Sequence, residues 1–121
     1  MAKTVLVTED DSFLRETIQA VLEEHGVTVL SAENGDEAIQ IIDRQPVDLL
    51  LLDIFMPVKD GYAVLEHRRT KGLTFPVVIL SNASDHISKQ KCEELGANDF
   101  LVKSDMDEDE LWGKIAAFIG E

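Results

Sequence analysis

The sequence predicts an α/β domain built on a five-stranded parallel sheet with alternating helices on both faces. Three observations carry that prediction. Short apolar runs of strand length recur at Val5 to Val7, Val27 to Leu30, Leu49 to Leu52, Val77 to Leu80 and Phe100 to Val102. Segments with helical spacing alternate with them. Two of the runs, Leu49 to Leu52 and Val77 to Leu80, are apolar at every position, as strands covered on both faces should be.

Each element has its own signal. After the first run, Leu14, Ile18, Val21 and Leu22 are spaced to line one side of a helix, and Gly26 follows its last turn. The second run leads to Asn34 and Glu37, spaced like a helix cap ahead of Ala38, Ile41 and Ile42. The third and fourth runs belong at the sheet centre. Gly96 follows another helix end before the fifth run, and Asp107 with Glu110 caps a final helix carrying Leu111, Ile115, Phe118 and Ile119. Parallel neighbours need crossover connections, overwhelmingly right-handed, so helices between strands favour this architecture over hairpins. With 121 residues and no repeat or linker, residues 1–121 are expected to form one domain.

Composition narrows the function. The chain is 45% hydrophobic and 29% charged, enough for a core. Its 24 acids against 11 bases give a formal net charge of −13, which repels nucleic-acid phosphates and anionic lipid. Neither nucleic-acid binding nor membrane insertion is expected. A lone Cys92 makes no internal disulfide, and there is no long apolar run or cleavable signal, so a cytoplasmic location is expected.

In open parallel sheets, ligands bind beyond the carboxyl ends of the strands. There the first run ends in Glu9, Asp10 and Asp11, the third in Asp53, the fourth in Ser81 and the fifth in Lys103. Taken singly, each has a plain structural reading. Asp53 ahead of Met56 and Pro57 opens a turn, the acids cap a helix beginning near Ser12, and Lys103 and Ser81 are ordinary loop residues. Four strand ends converging on one edge favour function for the set. Carboxylates about 4 Å apart repel by roughly 4 kcal/mol per pair at an effective dielectric near 20. Oxygen ligands without His or Cys suit a hard cation, and Mg²⁺ uses one or two carboxylates plus phosphate oxygens. An ammonium and a hydroxyl complete a set suited to phosphoryl transfer.

The order Glu9-Asp10, Asp53 within LLLLDIFMP, Asp60-Gly61, Ser81 and Lys103 resembles the receiver domain of two-component response regulators over essentially the whole chain. The resemblance implies a flavodoxin-like (βα)5 fold with strand order 2-1-3-4-5. It implies that Asp53 accepts a phosphoryl group from a histidine kinase or histidine phosphotransfer protein. Asp10 and Asp53 then bind Mg²⁺, with Glu9 acting mainly through water and Phe55 offering its backbone carbonyl. Lys103 and Ser81 contact the phosphoryl group, and Ser81 with Phe100 forms the switch pair. Asp11 starts the helix. Such a domain catalyses its own phosphorylation and dephosphorylation but is not a turnover enzyme, and its output is contact with a downstream protein through the helix after Ser84, the fifth strand and the last helix.

Some residues depart from the family pattern. Ser104 replaces the usual proline after the lysine, and a non-proline cis bond would cost about 2.5 to 4 kcal/mol. Asn82 stands where a small residue is usual. Phe55 and Ala83 flank the path of attacking water and neither orients it, so slow autodephosphorylation is expected. The first reading is a stand-alone receiver; a segment of a longer regulator or hybrid kinase fits the same residues. A degenerate receiver acting as a phosphorylation-independent adaptor is the alternative. A nucleotide-binding enzyme would want a glycine-rich first turn, which TEDDSF lacks. His25, His67 and His86 lack metal spacing and are expected to face solvent, Cys92 to pack in or beside a helix, and Trp112 to lie in the core.

Overall fold

A computed structural model describes residues 2–82, 86–105 and 107–120. Ala83 and Ser84 lie outside the described residues, as does the side chain of His86. The elements run β1 (Thr4–Thr8), α1 (Ser12–Glu24), β2 (Thr28–Ala32), α2 (Gly35–Arg44), β3 (Leu49–Asp53), α3 (Gly61–Thr70), β4 (Val77–Ser81), α4 (His86–Glu94), β5 (Asp99–Val102), a 3-10 turn (Lys103–Asp105) and α5 (Glu108–Ile119). All strand pairs are parallel, and their order is β2-β1-β3-β4-β5.

The two faces of the sheet explain the unbroken apolar runs. Side chains alternate along a strand, so Leu50 and Leu52 of β3 join Leu6 and Ile79 beneath α2, α3 and α4. Leu49 and Leu51 join Val5, Val7 and Leu80 beneath α1 and α5. All five β3 residues are buried. An alternating polar strand could not occupy that place.

Helix starts follow the expected capping chemistry. Asp11 Oδ1 accepts from Leu14 N–H at 3.2 Å, Asn34 Oδ1 from Glu37 N–H at 2.9 Å, and Asp107 Oδ1 from Glu110 N–H at 2.7 Å. Asp60 caps α3 in the same way, accepting from Ala63 N–H at 3.0 Å. Gly26 and Gly96 close α1 and α4 at positive φ, a conformation that costs glycine little.

Two side chains depart from expectation, and Cys92 meets it. His67 does not face solvent freely: its Nε2 lies 2.8 Å from Asp43 Oδ1, tying α3 to α2. Trp112 is only half-buried and stacks on His25 at 3.9 Å, joining α5 to the end of α1. Both rings therefore serve as helix-to-helix contacts on the surface. Cys92 is in α4 and fully in the core, where burial pushes its thiol up to about 11.

Arg68 is a buried charge in α3 that no periodicity announces. Its Nε and Nη2 both donate to the Phe75 carbonyl, at 2.9 and 2.5 Å, and its guanidinium lies 5.4 Å from the Phe75 ring centre. This pins the turn that delivers β4. Replacing Arg68 with Met removes two charge-assisted bonds and orphans a carbonyl, so urea unfolding should show a loss of about 1 to 3 kcal/mol. Arg68→Lys should recover only part of it, because one ammonium does not reproduce the fork. A loss below about 0.5 kcal/mol for the Met variant would deny the pin.

Candidate functional site

β1 and β3 lie side by side at the point where strand order reverses, and the chain leaves both at the same sheet edge. Glu9 and Asp10 follow β1 immediately, and Asp53 is the last residue of β3. Lys103 opens the turn after β5. The topology therefore delivers three acids and one base to a common place from three separate stretches of the sequence.

Their geometry is tight. One carboxylate oxygen from each of Glu9, Asp10 and Asp53 lies within 4.8 Å of the others. Lys103 Nζ sits 2.5 Å from Glu9 Oε1 and 3.3 Å from Asp53 Oδ2. Glu9 is fully buried and Asp53 nearly so, whereas Asp10 is exposed at the mouth. The second Glu9 oxygen accepts from the Asp11 amide at 3.3 Å. Both Glu9 oxygens are thus engaged by protein, which suits a supporting role more than direct ligation.

Protonation follows burial and charge. Burial pushes the Glu9 carboxyl up to about 7, with Lys103 opposing and Asp53 and Asp10 adding to the rise. For Asp10, burial also acts upward, but hydrogen bonding with Glu9 and Asp53 holds it below the usual aspartate value. Burial would lower Lys103, yet Glu9 and Asp53 together raise it. The ammonium stays charged.

Three clustered carboxylates beside one ammonium leave negative charge uncompensated. That donor set, all oxygen and part open to solvent at Asp10, fits a hard divalent cation. Asp10 and Asp53 are the acids placed to give oxygens to it.

A cavity of about 250 Å³ runs from Asp53 beneath α4, lined by Ser81, Asn82, Phe100, Lys89 and Cys92 among others. Ser81 and Phe100, the expected switch pair, therefore share one space with the acid. Phe100 is half-buried, and Lys89 Nζ lies 5.2 Å from its ring centre. Phe55 is 67% exposed on the loop after β3. No cis peptide bond occurs among the described residues, so Lys103-Ser104 is trans, in keeping with serine in place of proline.

Arg15 escaped the sequence reading, and the reading gave Gly61 no physical role. Arg15 Nη1 donates to the Glu9 carbonyl at 2.7 Å and Nη2 pairs with Glu33 at 3.5 Å, bolting the acid pair to the end of β2. An arginine on the first turns of a helix opening beside acids was the available signal. Gly61 N–H donates to the Ile54 carbonyl at 2.8 Å, and a Cβ there would lie 2.6 Å from the Asp53 carbonyl oxygen. Glycine is required by that approach.

The comparisons with known proteins agree with this geometry. The chain is 37% identical over 111 residues to the transcriptional regulatory protein DltR of Streptococcus agalactiae, covering 92% of this chain and 49% of that protein. It spans about half the length of the curated relatives it matches. The receiver domain of the Francisella response regulator 1452 superposes with a TM-score of 0.90 at 30% identity, covering 98% of this chain and 97% of that one. The receiver domain of the sensor histidine kinase PA1611 from Pseudomonas aeruginosa, which has a magnesium ion coordinated in its active-site cleft, gives 0.89 at 28% identity over the full length of both. Residues 5–116 match the response regulator receiver domain family, and with its acids, lysine and strand order in the places just described, the chain belongs to that family.

Proposed function

We propose that this domain accepts a phosphoryl group on Asp53 from a histidine kinase or histidine phosphotransfer protein and signals by protein contact. The observation that carries the reading is Lys103 bonded to both Glu9 and Asp53 inside an acid cluster at the sheet's switch point. An Asp53 oxygen attacks phosphorus as the bond from the donor imidazole nitrogen breaks, leaving the imidazole neutral once it holds a proton. Lys103 turns its ammonium to a phosphoryl oxygen, and Ser81 donates to another. Most of the rate comes from positioning and charge stabilisation.

Asp10, Asp53 and the Phe55 backbone carbonyl would hold Mg²⁺, with Glu9 reaching it through water. The ion supplies neutralisation of charge on the transferring group. The magnesium seen in the PA1611 receiver supports this assignment. Ser81 and Phe100 carry the switch: the hydroxyl moves toward the phosphate and the ring takes the vacated space, with the cavity beneath α4 giving it room. Phe100 has no hydroxyl, so the switch is driven by burial. The downstream partner docks on α4, β5 and α5.

The domain does not turn over substrate; it is charged once and loses its phosphate by hydrolysis. The acidic surface disfavours nucleic acid and anionic membrane as direct partners. No described helix is long and apolar enough to cross a membrane. Together these support action in the cytoplasm.

Incubation with Mg²⁺ and a small acyl phosphate should add one phosphoryl group by intact mass, and Asp53→Asn should add none. No gain even with a cognate kinase would leave the phosphorylation-independent adaptor. Phe55→Asn places an amide beside the path of attacking water and should speed phosphate loss several-fold in a radiolabel chase. An unchanged lifetime would remove Phe55 from control of hydrolysis.

Glu9 gives a pH signature. Its folded carboxyl titrates near 7 against 4.5 for the ordinary group, so between those values the folded protein holds a proton that the unfolded chain has released. Its contribution to stability is full below 4.5 and lost as pH rises through about 7. Without Mg²⁺, calorimetric Tm should fall from about pH 5.5 to about pH 7.5, and Glu9→Gln should flatten the slope. Added Mg²⁺ should restore stability mainly at the higher pH. A Tm that climbs across this window without metal would contradict the burial described for Glu9.

A further inference from the structure

The loop from Ile54 to Asp60 carries Phe55, and it is gripped from two sides. At its base, Gly61 N–H donates to the Ile54 carbonyl. At its far end, Gly35 N–H, on the first residue of α2, donates to the Lys59 carbonyl at 2.9 Å. That amide has no acceptor within its own helix, because the first turn's N–H groups point out of the helix end.

Gly35 does not adopt positive φ, so its backbone conformation makes no demand for glycine. Proximity makes the demand. A Cβ at Gly35 would lie 2.4 Å from the Lys59 carbonyl oxygen, 2.8 Å from its carbon and 3.0 Å from the Asp60 carbonyl oxygen. All three are backbone atoms, which cannot rotate aside as a side-chain tip can. Beside this contact Lys59 Nζ pairs with Asp36 Oδ1 at 3.5 Å. Between the two grips Val58 stands at φ 69°, a left-handed conformation that a β-branched residue resists. Strain of this kind persists only where surrounding contacts over-determine the backbone.

We infer that the start of α2 is a positioning element for the site: through Gly35 it holds the loop after β3 in a strained form and thereby sets the place of the Phe55 carbonyl. The inference deepens the receiver reading and rests on it, since the carbonyl matters as a cation ligand. No hydrogen bond or ion pair joins α2 to the three acids among the described residues; it acts through the loop. An added methyl at position 35 drives the Lys59 carbonyl outward. Val58, with little conformational room, passes that displacement back toward Phe55.

Isothermal titration calorimetry with Mg²⁺ on the full chain tests this. Gly35→Ala should weaken Mg²⁺ binding at least about five-fold, although alanine favours a helix. Gly113→Ala is the control, because a Cβ there meets nothing within 4 Å, and its Mg²⁺ affinity should equal that of the wild type. Val58→Gly should raise the unfolding midpoint and bind Mg²⁺ normally.

Gly35→Ala binding within about two-fold of wild type overturns the inference. Should that variant not fold, hydrogen exchange on the wild type decides. The Gly35 amide should be protected at least about ten-fold and further slowed by Mg²⁺, and free exchange overturns the clamp. A wild type that neither binds Mg²⁺ nor takes a phosphoryl group removes the receiver reading and the clamp with it. A wild type that does both, beside a Gly35→Ala variant that binds equally well, removes the clamp alone.

Discussion

Confinement of like charge at one edge of the sheet governs this molecule. Glu9, Asp10 and Asp53 are brought within 4.8 Å by strands that also bury the main core, so the repulsion cannot relax without undoing β1 and β3. Lys103 answers part of it from the far end of the chain. Burial, with Asp53 and Asp10 adding to it, pushes the Glu9 carboxyl up to about 7, and the all-oxygen cluster fits a hard cation. Apolar burial on both faces of β3 provides the opposing free energy.

Local devices keep the charged groups from collapsing onto each other in the wrong way. Arg15 holds the Glu9 carbonyl and Asp11 N–H holds its side chain, so Glu9 presents a fixed edge to Lys103. On the other side, two close backbone approaches at glycine position the loop after β3. The acids themselves are few; much of the site's definition comes from groups outside the acid cluster.

Much of this was legible beforehand, for identifiable reasons. The all-apolar runs at Leu49 to Leu52 and Val77 to Leu80 could only be strands covered twice, and the caps at Asn34 and Asp107 use donors within three residues. Asp53 and Lys103 were visible because topology forces strand ends together. By contrast, α3 and α4 offered little periodicity: α3 buries an arginine, and the lysines of α4 lie over Phe100 and Tyr62. Neither Arg15 nor Gly35 belongs to a chemical motif. Their roles depend on distances between separate segments, which spacing along the chain does not encode.

The strand order has a consequence for synthesis. A ribosome delivers β1, α1 and β2 first, and each later strand then joins the growing sheet at the same side: β3 beside β1, β4 beside β3, β5 beside β4. The three acids can therefore meet while the lysine is still being translated. A nascent chain paused at that stage would hold three clustered carboxylates that the lysine has yet to pair.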